Sequence, residues 1–203
     1  MILSAKDSKV EEYFQLDNQL TSILEGIKIP DKYQNDIFLN DKIIFASKIH
    51  TSEKILHRFY RKIKHLNDTN FAKRNFTVPL TIKPKIKIEL YSYLKEKFPD
   101  YHIKDSNQIV YPKNHGFMGW HTNFYQPANR LYLNYAEESN KSFFRYYDNN
   151  SKKIVTLYDK KGWQARVFYL CKEKPLWHCV YSDTNRISVG FWYETVPTEV
   201  TNN

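Results

Sequence analysis

The chain has 203 residues, a formal net charge of +9 and only five glycines, and these values exclude several classes of protein. The length fits one domain that buries a real core, and the shortage of glycine leaves no Gly-rich phosphate-binding loop. The positive charge favours acidic partners through weak, salt-sensitive attraction, although the same charge also serves to keep a lysine-rich surface solvated.

The sequence carries no signal of a membrane or secreted protein. No apolar run is long enough to span a bilayer, and the first seven residues, MILSAKD, lack the apolar segment of a signal peptide. The two cysteines, Cys171 and Cys179, need no disulfide. We therefore expect a cytoplasmic protein of a reducing compartment that does not associate with membranes.

The first half of the chain shows mainly helical periodicity. Apolar residues recur at helical spacing in three segments, 8–27, 51–66 and 86–98, whereas residues 31–45 show no firm period. We predict that residues 1–105 are mostly helical and pack outside the sheets that the rest of the chain forms.

The second half changes to strand periodicity, with short aromatic and β-branched runs between polar turns. We predict eight strands, at residues 108–112, 119–123, 130–136, 142–147, 154–159, 164–170, 176–181 and 186–193. Eight closely spaced strands are typical of a barrel or jelly roll. The prediction is a mainly β, α+β protein with flanking helices, a single domain over residues 1–203 whose barrel core occupies residues 106–195.

Two histidines lie near the two ends of this β-rich region. His121 is followed two residues later by Asn123, and side chains at i and i+2 of a strand point the same way. His178 lies on a later predicted strand. Neutral imidazole is a good ligand for iron, zinc or copper. We predict that His121, Asn123 and His178 hold one metal ion and leave its other coordination positions open.

A cationic pair follows the second histidine. Arg186 and Ser188 again share one face of a predicted strand. A guanidinium binds a carboxylate through two parallel hydrogen bonds, and a nearby hydroxyl adds a third. A metal at one end and an arginine at the other would select a dicarboxylate of fixed length.

Together these motifs resemble those of the Fe(II)- and 2-oxoglutarate-dependent oxygenases, whose pattern is His-x-Asp/Glu, a distal His, and an Arg-x-Ser just beyond it. Residues 108–193 carry the resemblance, and their sequence is similar to that of small oxygenases carried by marine bacteriophages. The resemblance implies a double-stranded β-helix, a jelly-roll or cupin-like barrel with Fe(II) as cofactor and 2-oxoglutarate as co-substrate. It also implies hydroxylation with dioxygen, yielding succinate and CO2, of a substrate that the sequence does not define: a protein side chain, a nucleobase or a small molecule.

The same resemblance suggests further contacts of the co-substrate. In the family, Tyr or Asn side chains of flanking strands reach its carboxylates, which makes Tyr111 and Tyr132 candidates, with Asn134 on the same face as Tyr132. Arg145 is a second cationic candidate, and an exposed position on the sheet is its alternative. Trp120 and Trp177 each precede a histidine and are expected to face the opposite way, as packing residues.

Position 123 departs from the family pattern, because Asn stands where a carboxylate is usual. Three outcomes are open: a site with an amide ligand, a carboxylate supplied from elsewhere, or a degenerate site. Glu137, Asp148 and Asp183 are the nearest substitutes in sequence, and all three lie in predicted turns. The alternatives to an oxygenase are a catalytically degenerate barrel that acts as a binding protein, and a cupin-type dioxygenase that needs no co-substrate.

Overall fold

The fold is taken from a computed structural model of the chain, which describes residues 9–11, 16–30, 41–62, 75–123, 128–171 and 174–195. Within these residues the helices are α1 (Asn18–Glu25), α2 (Asp41–His50), α3 (Glu53–Lys62) and α4 (Pro84–Lys97). The strands in the same ranges are β1 (Lys9–Glu11), β2 (Asn75–Phe76), β3 (Val78–Pro79), β4 (Tyr101–Tyr111), β5 (Gly116–His121), β6 (Ala128–Ala136), β7 (Ser142–Asp148), β8 (Lys153–Tyr158), β9 (Gly162–Leu170), β10 (His178–Ser182) and β11 (Arg186–Thr195).

These strands form two antiparallel sheets. The major sheet has the order β1-β9-β6-β11-β4-β3, and the minor sheet has the order β2-β5-β10-β7-β8. From β4 onward the chain changes sheet at nearly every strand, because only β7 and β8 are consecutive neighbours within one sheet. The prediction of a mainly β, jelly-roll-like architecture with flanking helices is confirmed, and each of the eight predicted strands is present.

The two faces of the major sheet have different chemistry because successive side chains of a strand point to opposite sides. On β11, Ile187, Val189 and Phe191 belong to the apolar core on the outer face. Arg186 and Ser188 alternate with Ile187 and Val189 in sequence and line a cavity on the inner face. The strand therefore supplies both the packing surface for helices and the polar groups of the interior.

Helices α1 and α4 cover the outer face of the major sheet. Leu20 and Leu24 of α1 and Leu90 and Leu94 of α4 are at most 1 % exposed and belong to the same apolar cluster as the outer residues of β11. Burying side chains of this size contributes roughly 1.5–3 kcal/mol each. These helices brace the sheet from outside, as the sequence predicts.

The outer face of the minor sheet packs against α3. Trp120, Trp177 and Cys179 form one buried cluster with Leu56 and Phe59 of that helix. The indole Nε1 of Trp120 also donates a hydrogen bond to the carbonyl of Ser52, at 2.8 Å. The two tryptophans are thus packing residues that face away from the interior, as their positions beside the histidines predict.

The N-terminal prediction is wrong in two places. Residues 8–27 are not one helix, because β1 pairs with β9 at the edge of the major sheet and α1 begins only after Asp17. The Asp17 carboxylate accepts a hydrogen bond from the amide of Leu20 at 2.9 Å, which caps the helix. The segment 31–45, which shows no firm period, contains the start of α2. Residues 31–40 lie outside the described part of the chain, and so do residues 63–66 of the second predicted helix.

The second correction concerns β4, which begins at Tyr101 rather than at residue 108, inside the region predicted as helical support. Its early part is held by pairing with β11, where Tyr101 lies opposite Thr195. Because Tyr101 and Thr195 are far apart in the sequence, their pairing produces no local sequence pattern from which the start of β4 could be predicted.

Within the described residues, none of the helices combines the length and the apolar content that crossing a bilayer requires.

Candidate metal centre and anion pocket

The two predicted metal histidines meet in the structure. His121 ends β5 and His178 begins β10, and the two residues lie directly opposite each other in the antiparallel pair. Their ring centroids are 4.1 Å apart and the planes are inclined by 53°. Residues separated by more than fifty positions in the chain are therefore neighbours.

A β-bulge in β5 produces this arrangement. Val180 lies opposite Met118, whereas His178 lies opposite His121, so β5 contains one residue more than β10 between the two pairs. A bulge of this kind re-aims the side chains that follow it. Strict alternation would turn Trp120 to the same side as Met118; the bulge instead sends Trp120 to the outer cluster and His121 to the interior.

Backbone carbonyls hold both imidazoles in the same way. Nδ1 of His121 is 2.8 Å from the carbonyl oxygen of Gly119, and Nδ1 of His178 is 2.9 Å from that of Leu176. A carbonyl can only accept a hydrogen bond, so Nδ1 of each ring carries the proton and Nε2 keeps its lone pair. Metal-binding histidines are commonly oriented by such a contact at the other ring nitrogen.

Both rings are neutral at physiological pH. Burial lowers the pKa of His121. Burial lowers the pKa of His178 well below its usual value, and a charge on the neighbouring His121 would lower it further. Since a metal ion needs the unprotonated nitrogen, the site is prepared to bind one.

Asn123 is the third predicted ligand, and it also lies at the site. Its Nδ2 is 3.5 Å from Nε2 of His178. Rotation of the amide about its last side-chain torsion exchanges Nδ2 with Oδ1, which brings an oxygen donor to the same place. Over the described ranges no group of three or more His, Cys, Asp or Glu side chains could hold a metal ion, so Asn123 remains the predicted third donor beside the two histidines.

The carboxylates considered as substitutes have partners elsewhere. Glu137 accepts a hydrogen bond from Asn185 at 3.0 Å. Asp148 accepts from the Ser151 hydroxyl at 2.6 Å, within its own turn. The hydroxyl of Tyr181, on the outer face of the minor sheet, donates to Asp183 at 2.9 Å. Each of these carboxylates is therefore engaged by a partner other than His121 and His178.

The predicted carboxylate clamp is a buried polar cluster on the inner face of the major sheet. Nη2 of Arg186 donates to Oδ1 of Asn134 at 2.9 Å, and the Ser188 hydroxyl donates to the same oxygen at 3.0 Å. The guanidinium also lies over the ring of Tyr111, at 4.9 Å from its centroid. Nη1 of Arg186 is buried and has no hydrogen-bond partner among the described residues. The cluster therefore retains a donor for an incoming acceptor.

Two residues of this cluster, Asp159 and Arg166, were not predicted from the sequence as part of the site. Asp159 accepts a hydrogen bond from Nε of Arg186 at 2.8 Å and forms an ion pair with Nη2 of Arg166 at 2.7 Å. Arg166 could have been predicted from the sequence. In a strand its side chain points to the side opposite that of Val167 and to the same inward side as Phe168. Asp159 had no such signal, because an acidic residue at the end of the predicted strand 154–159, directly before the turn at Lys160, is expected to be exposed to solvent.

One narrow cavity connects the histidines with the guanidinium. It has a volume of about 30 Å³. Both predicted tyrosines line it: Tyr132 stacks on Phe168 at a centroid distance of 5.2 Å, and Tyr111 lies beneath Arg186. Their role toward a co-substrate stays a prediction. The described residues that line the cavity are Asn107, Ile109, Tyr111, Met118, His121, Tyr132, Asn134, Phe144, Arg166, Phe168, His178, Val180, Arg186 and Ser188.

Arg145, the other cationic candidate, is not part of this cavity. It lies on the outer side of β7, where Nε donates to the Thr156 hydroxyl at 2.8 Å and Nη1 donates to the carbonyl of Thr51 at 2.8 Å. It fastens the segment before α3 to the minor sheet. Arg145 therefore lies on the outer side of the sheet, where it is half-buried.

A larger groove of about 1100 Å³ lies on the outside of the molecule, beside the end of α1. Its described lining includes several lysines, among them Lys28, Lys113 and Lys161, but neither of the two paired histidines. The chemistry therefore points to the small interior cavity, although the groove has the greater volume.

Comparison with models of known protein families gives no match, and comparison with curated protein sequences gives none either.

The protonation of the two rings predicts how stability depends on pH. Unfolded histidine has a pKa of about 6.5. Below that pH the unfolded chain binds protons that the buried, neutral His178 excludes, so the metal-free protein loses stability as the pH falls. The loss is at most about 1.4 kcal/mol per pH unit for one ring. His178→Gln should reduce this slope in denaturant unfolding measured across a pH series.

His102→Gln is the matched control, because that side chain is exposed, and the variant should keep the wild-type slope. Equal slopes for wild type and His178→Gln would contradict the buried neutral ring.

Proposed function

We propose that the protein is an Fe(II)- and 2-oxoglutarate-dependent oxygenase on a double-stranded β-helix. The observation that carries the proposal is the shared cavity, with two carbonyl-anchored imidazoles at one end and a buried guanidinium with an unused donor at the other. Such a cavity suits a ligand that binds a metal at one end and an arginine at the other.

The strand order supports the finer description of the fold. Numbered from β4 as the first strand to β11 as the eighth, the major sheet reads 6-3-8-1 and the minor sheet reads 2-7-4-5. This interleaving is the order expected for an eight-stranded jelly roll built from two Greek keys. The histidines then lie on the second and seventh strands, and Arg186 begins the eighth.

His121, His178 and the amide oxygen of Asn123 would hold the metal. When bound, Fe(II) would supply the activation of dioxygen that couples conversion of 2-oxoglutarate to succinate and CO2 with hydroxylation of a substrate. Two histidines and one oxygen donor leave open positions for co-substrate and dioxygen.

The remaining residues bind and orient. Arg186 would receive the distal carboxylate of 2-oxoglutarate through Nη1 and the second hydrogen of Nη2, because Nε and the first hydrogen are engaged by Asp159 and Asn134. The Ser188 hydroxyl can rotate from Asn134 to donate a further bond. Tyr111, Phe144 and Phe168 keep this end of the cavity apolar around the charge, which strengthens the ionic contact.

Binding requires side-chain movement. A volume of about 30 Å³ holds about two water molecules, which is less than a five-carbon dicarboxylate needs. Met118 and Tyr132 both line the cavity, and an unbranched methionine adopts several rotamers at small cost. Closure around the co-substrate would then exclude water from the metal.

A second candidate is a binding protein that keeps the pocket without turnover. The neutral Asn123 favours it, since an amide is a weaker donor to a hard divalent cation than a carboxylate. This candidate binds metal or dicarboxylate but releases no succinate.

The first test removes the guanidinium. Wild-type protein, titrated anaerobically with Fe(II) and 2-oxoglutarate and then exposed to oxygen, should release succinate. Arg186→Met should weaken 2-oxoglutarate binding at least about 100-fold, equivalent to about 2.7 kcal/mol, because a charge-assisted contact is lost. Its affinity for Fe(II) should stay within about threefold of wild type.

Arg145→Met provides a matched control on the outer face and should bind both ligands normally. Unchanged activity in Arg186→Met would favour a dioxygenase that needs no co-substrate. Binding without succinate over a panel of substrates would favour the binding protein.

The second test concerns the third ligand. Asn123→Asp should raise Fe(II) affinity at least about tenfold, because a carboxylate adds an anionic oxygen donor, whereas Asn123→Ala should lower it. Metal competition titrations measure both. If neither substitution changes the affinity, Asn123 is not a ligand; if Asn123→Asp also raises turnover, the amide is a defect rather than an adaptation.

A further inference from the structure

Three charged side chains meet at the deep end of the cavity. Asp159, Arg166 and Arg186 are 0 %, 5 % and 2 % exposed. The carboxylate lies between the two guanidinium groups, with Oδ2 2.8 Å from Nε of Arg186 and Oδ1 2.7 Å from Nη2 of Arg166. Such a cluster is costly to bury unless its charges are matched and held in a fixed geometry.

Asp159 is the fixed member of the cluster. Its backbone amide donates to the carbonyl of Ser142 at 2.9 Å, and its carbonyl accepts from the amide of Asn140 at 2.9 Å. The Ser142 hydroxyl donates to Oδ2 at 2.6 Å. Two hydrogen bonds to Ser142 at the start of β7 and one from Asn140 before it thus hold Asp159 in place, and both guanidinium groups contact its carboxylate.

The carboxylate is ionised throughout the physiological range. Burial by itself raises the pKa of Asp159, but the charges of Arg186 and Arg166 outweigh burial and bring it to about 2. Two cations and one anion leave a charge of +1, and the two histidines that line the same cavity are neutral. The cluster of Asp159, Arg166 and Arg186 at the deep end of the cavity therefore carries a net charge of +1.

We propose that Asp159 and Arg166 set the charge of the anion pocket, so that it accepts a singly charged end group and discriminates against a doubly charged one. A carboxylate or sulfonate neutralises the pocket. A phosphonate or phosphate dianion leaves one buried negative charge without compensation, which is strongly unfavourable in a low-dielectric site. Asp159 also acts as a positioning residue, because it fixes the Nε edge of Arg186.

The inference rests on the proposed function, since it assumes that the pocket binds the distal end of 2-oxoglutarate. Two analogues separate charge from shape: one carries a sulfonate in place of the distal carboxylate, the other a phosphonate. Both groups are tetrahedral, but at a pH where the phosphonate is doubly charged they differ by one charge. Their ratio of dissociation constants therefore reports the charge preference of the pocket.

The experiment measures this ratio by anaerobic calorimetric titration of the Fe(II)-loaded protein. Asp159→Asn raises the pocket charge to +2 and should shift the preference toward the phosphonate at least about tenfold relative to wild type. Arg166→Met lowers the charge to zero and should shift it toward the sulfonate by a similar factor. The double variant restores +1 and should return the ratio to within about threefold of wild type.

Ser142→Ala is the structural control, because it removes a hydrogen bond to Asp159 without changing any charge, and it should keep the wild-type ratio. A role in folding alone would not give shifts of opposite sign or their cancellation in the double variant. If Asp159→Asn does not fold, Arg166→Met and the double variant carry the same test.

Two results overturn the inference in distinguishable ways. A ratio that stays within about threefold of wild type in Arg166→Met and in Asp159→Asn, while 2-oxoglutarate still binds, overturns the charge-setting role alone. Absence of 2-oxoglutarate binding in the wild-type protein overturns the proposed function, and the inference with it.

Discussion

The β-bulge in β5 is the constraint on which the rest of the site depends. If β5 alternated regularly from Met118 onward, without the bulge, Trp120 would point into the interior and His121 would point out. With it, the imidazole lies opposite His178 and the indole packs against α3. The Gly119 carbonyl, 2.8 Å from Nδ1, then selects the tautomer of the inward-turned ring.

The interior between the sheets contains more charge than a core normally tolerates. Burying Arg166 and Arg186 would be prohibitive without Asp159, and the cluster stays buried because its ionic contacts are 2.7 and 2.8 Å long. A protein that needed only to fold could fill this space more cheaply with apolar side chains. Under the proposed function, this net positive charge, next to neutral imidazoles, receives the anionic end of the co-substrate.

Local pattern was sufficient for the parts of the site that lie on regular strands. The i and i+2 spacing of Arg186 and Ser188 put them on one face, and the two histidines could be matched because each carries its own short motif. The eight strands were visible from alternation and turn residues. The bulge in β5 could not be predicted, because a glycine at position 119 was the one indication of it. Asp159 could not be predicted either, because its charged partners lie on β9 and β11.

The N-terminal half was harder to predict because distant pairing decides it. β1 is a strand by virtue of β9, and the first residues of β4 by virtue of β11. Asp17, which interrupts the helical pattern, turned out to be the residue that starts α1. In each case the deciding contact joins residues far apart in the chain, or a side chain to a backbone amide, and apolar periodicity records neither.

The central claim is that His121 and His178 bind one metal ion together. Anomalous diffraction at the iron edge, from crystals grown anaerobically with Fe(II), tests it most directly. The account predicts a single peak within coordination distance of both Nε2 atoms, about 2.0–2.2 Å for nitrogen donors. Iron bound only elsewhere on the chain, with the two rings still 4.1 Å apart and no peak between them, would contradict it.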